Sequence, residues 1–60
     1  MDEMEVLHKK LRQQMNDLAD IISTGGCKNF EHYQRLCGQI EGLAYAEREL
    51  LDIREQQQED

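Results

Sequence analysis

The residues able to do chemistry are few, and their spacing limits what they can do. The chain contains His8, Cys27, His32 and Cys37 as its only histidines and cysteines. Zinc sites draw on tight pairs such as C-x2-C, or on histidines one helical turn apart on a facing surface. His32 and Cys37 stand five apart and Cys27 stands alone, so no pair has a ligand spacing and no metal is expected. Cys27 has no adjacent base to activate its thiol. Cys37 reads as a small core residue. Gly25-Gly26 closes a helical pattern instead of following a strand, which excludes a phosphate cradle. No Ser/His/Asp grouping appears, and the chain is expected to be neither an enzyme nor a cofactor carrier.

One carboxylate stands out. Glu47 falls near the middle of an apolar helical face, between Ile40, Leu43 and Leu51. A lone buried carboxylate is costly. Antiparallel counting from a turn at Gly25-Gly26 places it near Leu7, His8 and Leu11. Two readings follow. A partly buried His8–Glu47 pair would set the register of two helices. Alternatively, Glu47 reaches solvent past the edge of the pair. The second is preferred, because carboxylates are seldom fully buried. A catalytic role is not expected, since no third polar group is anticipated there and a thin pair of helices offers no pocket.

The elements that carry these residues are helices. Pro is absent, and the four glycines fall into two pairs, so helices break only near those pairs. Alternating β-branched runs are missing, which argues against strands. Asp2 is placed to cap a first helix, with Glu3 and Glu5 at its positive end. Met4, Leu7, Leu11, Met15, Leu18 and Ile22 recur at steps of three or four, and Ile21 widens that stripe. Lys9, Arg12, Gln13, Asn16, Asp17 and Asp20 lie off its centre and read as solvated. The pattern predicts a helix over about 3–23. A glycine in the left-handed conformation ends it, a turn spans 24–29, and Asn29 caps a second helix over about 30–56. The polar residues 57–60 are expected to fray. The fold class is therefore all-α: one antiparallel two-helix hairpin, packed into a bundle or against a larger partner.

The second helix has more contact surface than the first can cover. Its apolar set is Phe30, Tyr33, Leu36, Cys37, Ile40, Leu43, Ala44, Leu50, Leu51 and Ile53, a broad arc. A strip of small residues, Gly38, Gly42 and Ala46, lies about 140–180° from the face centred on Tyr33, Ile40 and Leu51. Mid-helix glycines cost about 1 kcal/mol each, so the strip reads as a second contact surface, with a tolerated surface pair or a bend as the alternative. The expected interface comprises Tyr33, Leu36, Cys37, Gly38, Ile40, Gly42, Leu43, Ala46 and Leu50. Excess apolar surface of this kind marks a binding protein.

Charge narrows the partners. Thirteen acidic residues against seven basic ones give a net charge of −6. That disfavours a phosphate-backbone binder and an anionic membrane. No apolar run approaches a membrane span, and no secretory h-region follows Met1. The expected partners are proteins, either further copies of the chain or a larger molecule presenting basic residues to the acidic end Glu47, Glu49, Asp52, Glu55, Glu59 and Asp60. Direct contact with nucleic acid is not expected. Outside a secretory route, both cysteines should remain reduced.

The stretch Thr24 to Leu43 resembles small, poorly characterised proteins encoded among the head and portal genes of tailed bacteriophages. The shared pattern is a Gly turn, an amide or acidic residue before an aromatic, then Tyr-x-x-Leu-x-Gly-x-Ile-x-Gly-Leu. It is matched at Gly25, Asn29, Phe30, Tyr33, Leu36, Gly38, Ile40, Gly42 and Leu43. The resemblance covers about a third of the chain and brings no catalytic residues. It implies a multi-copy virion protein near the head, portal or neck, located in the virion or the host cytoplasm. Two other readings stand beside it. One is an acidic inhibitor of a host enzyme, although Lys9, Lys10, Arg12, Arg35 and Arg48 interrupt any phosphate-like array. The other is a homodimeric adaptor or regulator.

Overall fold

The computed structural model describes residues 2–58, arranged as two helices, α1 (Glu3–Ser23) and α2 (Phe30–Gln58), packed side by side. Local chemistry explains both starts. The Asp2 carboxylate accepts from the Met4 amide at 3.0 Å, and Glu3 and Glu5 sit in the first turn of α1. At α2, the Asn29 side chain accepts from the His32 amide at 2.8 Å. His32 then reaches back, its Nδ1 accepting from the Lys28 amide at 3.0 Å. Two amides left without partners at the helix start are thus satisfied. Accepting at Nδ1 requires the neutral imidazole with its proton on Nε2.

The turn ends α1 by a Schellman arrangement. Gly26 N–H donates to the Ile21 carbonyl at 2.8 Å and Gly25 N–H to the Ile22 carbonyl at 3.3 Å. Gly25 is the left-handed residue, at φ 75°. Gly26 is needed for a different reason: a Cβ there would lie 3.1 Å from both Cγ2 and the carbonyl oxygen of Ile21. Thr24 Oγ1 donates to the Asp20 carbonyl at 2.7 Å, satisfying another free end.

The contact between the helices follows steps of four and three. Val6, His32 and Cys37 aside, the less exposed positions are Met4, His8, Leu11, Met15, Leu18 and Ile22 on α1, and Leu36, Ile40, Leu43, Glu47, Leu50 and Arg54 on α2. That alternation is the seven-residue repeat of a coiled-coil seam. It corrects the expected stripe at one place. Leu7 is 47% exposed, and His8 takes the seam position. A repeat of 3.5 steps by four from Met4, which reaches His8, whereas a step of three reaches Leu7. Ile21 also lies outward, at 37% exposure, against Gly26 of the turn. α2 continues two residues past the expected end, through Gln57 and Gln58; of the polar tail, residues 59 and 60 lie outside the described residues.

Burial is shallow. Among the described residues only Met15, Leu36 and Leu50 are buried, and no large side chain is completely enclosed. The hairpin measures 48 × 19 × 13 Å, so most positions of either helix face water. No helix is long and apolar enough to cross a membrane.

Gly38 and Gly42 differ from the turn glycines: a Cβ at either meets nothing within 4 Å, unlike at Gly26, and neither has the positive φ of Gly25. Gly38→Ala and Gly42→Ala should therefore each stabilise the isolated chain by about 0.5–1 kcal/mol. Gly25→Ala should destabilise it by about 1–2 kcal/mol through the left-handed backbone. Thermal melts followed by circular dichroism check both signs.

Candidate interaction surface

The seam is apolar apart from Arg54 near its open end and one inner level. There Glu47 Oε2 accepts a hydrogen bond from His8 Nε2 at 2.9 Å and forms an ion pair with Arg12, whose Nε lies 2.6 Å away. An ionised carboxylate only accepts, so His8 donates through Nε2. Glu47 is 12% exposed, His8 30% and Arg12 60%. The carboxylate is therefore covered by the two groups that neutralise it. The preference for a solvent-reaching Glu47 is thus replaced by the pair, and a third polar group does converge. Arg12 stands one helical turn beyond His8, so both side chains project toward the same level of α2. The guanidinium stem lets Arg12 reach inward from a position read as solvated.

The residues of the expected interface fall into three groups. Leu36 and Leu50 are buried, each 5% exposed. Ile40, Leu43 and Cys37 are half-buried. Tyr33, Gly38, Gly42 and Ala46 are exposed, and a Cβ added at Gly38 or Gly42 would meet nothing within 4 Å. One shallow groove runs along this side of the hairpin, lined by Gln14, Leu18, Gln39, Gly42 and Leu43.

On the other flank of α2, Phe30 and Tyr33 form an exposed stacked pair with ring centroids 6.2 Å apart and an interplanar angle of 24°. Both cysteines are free thiols and half-buried, and both act on Tyr33. Its phenol is held above the ordinary value of 10.0, first by a hydrogen bond with Cys37, then by the charge Cys37 carries once ionised, with a smaller contribution from Cys27. Cys37 stands one helical turn after Tyr33 on the same side of α2. No group of three or more His, Cys, Asp or Glu among the described residues could hold a metal ion.

Charge gathers at the open end of the hairpin. The antiparallel arrangement brings Asp2, Glu3 and Glu5 to the same end as Glu49, Asp52 and Glu55, all exposed. Glu47 leaves that acidic set, being paired in the seam; Glu59 and Asp60 lie outside the described residues. Comparison with protein-family models, curated proteins and solved structures returns no match.

Two measurements test the site. A double-mutant cycle over His8→Ala and Glu47→Gln, followed by urea denaturation, should return a coupling of about 0.5–1.5 kcal/mol; zero coupling would make the contact incidental. In a Tyr45→Phe chain, phenolate absorbance of Tyr33 should titrate with a midpoint above 10.0, and Cys37→Ala should lower it. The raised value means that any stability Tyr33 contributes is complete below the unfolded phenol's midpoint and is lost as pH rises through the folded one.

Proposed function

We propose that this chain is a non-enzymatic structural and binding protein, a small multi-copy component of a bacteriophage virion seated at the head, portal or neck. The observation that carries the binding part is the apolar surface left over by the hairpin. Phe30, Tyr33, Leu51 and Ile53 are between 41% and 68% exposed on α2 alone. Isolated exposed apolar residues are ordinary, but a helix with several along its length marks a contact surface. The virion setting is supported by the likeness of the Thr24–Leu43 stretch to phage proteins encoded among head and portal genes.

The acidic open end favours a partner that presents Lys and Arg. Opposite charges there would orient the hairpin on a larger virion protein and speed its encounter with it. The same feature supports a second reading, an acidic phage inhibitor of a host enzyme. In that case Glu49, Asp52 and Glu55 would carry the binding, and charge neutralisation would abolish it.

Quantitative mass spectrometry of particles purified from the encoding phage distinguishes the two. A virion component should appear at a fixed ratio to the portal or capsid protein and persist through high-salt washing. Its absence from particles, together with salt-sensitive capture of one host enzyme, would overturn the structural reading.

A further inference from the structure

The α2 helix is patterned for more than one neighbour. Beside the seam, Phe30, Cys37, Ala44 and Leu51 recur every seven residues. That spacing sets them in one row, about 90° round the helix from the seam. Two seam positions plus one adjoining row is the apolar width of a helix in a bundle, not of a two-stranded coil. α1 does not cover the row: Phe30, Ala44 and Leu51 are exposed and Cys37 is half-buried.

We infer that the Cys37, Ala44 and Leu51 part of this row is covered by the same residues of a second copy, the two α2 helices packing antiparallel about a two-fold axis at Ala44, Cys37 of each against Leu51 of the other, to make a four-helix bundle. The inference deepens the binding role proposed above by naming the first partner as the chain itself. Three observations support it. The first is area. The chain exposes 5015 Å², whereas a compact globule of its mass exposes about 4,100 Å². The excess, about 900 Å², is close to the roughly 800 Å² that each partner buries in a standard interface. The radius of gyration, 14.3 Å, likewise exceeds the roughly 10 Å of a compact domain of this length.

The second observation is self-complementary charge. Glu41 lies three residues before Ala44 and Arg48 four after it, both exposed on the outer shoulder of the row. Neither makes an ion pair within the chain among the described residues, where the only ion pairs are those on Glu47. An antiparallel axis at Ala44 sets Glu41 of each copy opposite Arg48 of the other, twice, as an isologous contact requires. A parallel two-fold pairing would instead carry the two Glu41/Arg48 shoulders to opposite sides of the interface, where neither charge meets its complement. The third is the distribution of the net charge. Antiparallel α2 helices send the two acidic open ends to opposite ends of a particle as long as the hairpin, 48 Å, far beyond the screening length at physiological salt. Those ends remain free for a basic partner.

Sedimentation equilibrium on the full chain, with circular dichroism to confirm the helices, tests this. The native chain should sediment at twice its 7.1 kDa mass. Glu41→Arg and Arg48→Glu should each weaken the dimer at least about tenfold, since each creates two like-charge contacts. Combining them should restore it. Ala44→Cys in a Cys27→Ser, Cys37→Ser chain should oxidise to a disulfide-linked dimer across the axis. A helical monomer, a single-charge variant that dimerises as tightly as the native chain, a double variant that is not rescued, or a dimer that does not cross-link at position 44 each overturns the inference. None of these outcomes affects the count of copies in purified particles, so the virion reading stands or falls separately.

Discussion

Everything in this hairpin depends on one seam. Each helix has a single neighbour, and the chain supplies no third layer to close over either side. The consequence is visible in burial: among the described residues three side chains are buried, and none of the large ones is completely enclosed. Helices of this length gain most of their stability from packing of one face. A chain of 60 residues buries a smaller fraction of its surface than a larger domain does, and an elongated hairpin buries less still. The caps and the Schellman turn therefore matter more here than in a thick domain. Each contributes on the order of 1 kcal/mol to a small total.

Within the seam, the Glu47 level sets the alignment of the two helices. An apolar seam of Leu, Ile and Met tolerates sliding by one repeat, because the same residue types meet again seven residues on. Glu47 does not tolerate it. A slip of one heptad toward the turn replaces His8 by Met15 as its neighbour and leaves a carboxylate against a thioether. An unsatisfied buried acceptor costs about 1–3 kcal/mol, comparable with the whole margin of a domain this small. The arrangement adds little net energy over a leucine at the same place. Its effect is to make the other registers worse. Arg12 strengthens that discrimination by setting its positive charge beside the same oxygen.

The parts of this structure legible in the sequence are those set by local chemistry. Asp2, Asn29 and the Gly25-Gly26 pair act on backbone within a few residues of themselves, so the helix starts and the turn follow from residue type alone. The seam was legible only on average. Over one turn a period of 3.6 and a period of 3.5 are indistinguishable, and Leu7 outranks His8 on hydrophobicity. The choice between them is made by Glu47, thirty-nine residues away. The inward reach of Arg12 was hidden for a related reason. A long cationic side chain placed beside a stripe reads as solvated until the acceptor that draws it in is located.

The outward faces of α2 differ from one another, and that difference constrains any assembly. One flank carries a row of apolar residues with Ala44 at its centre; another carries Gly38 and Gly42, whose missing side chains leave open space. Large side chains fill a gap between helices, while glycines let two backbones approach closely. The two flanks therefore suit neighbours at different distances. A neighbour seated on the apolar row leaves the glycine strip free, because α1 and the row already occupy adjoining sides of the helix. If both flanks are used, α2 becomes a helix with three neighbours, and α1 serves mainly to hold it in place. The two mid-helix glycines weaken the isolated hairpin by roughly 1 kcal/mol each. In a thin structure that cost is a large part of the margin, and a second backbone closing against the strip would offset it.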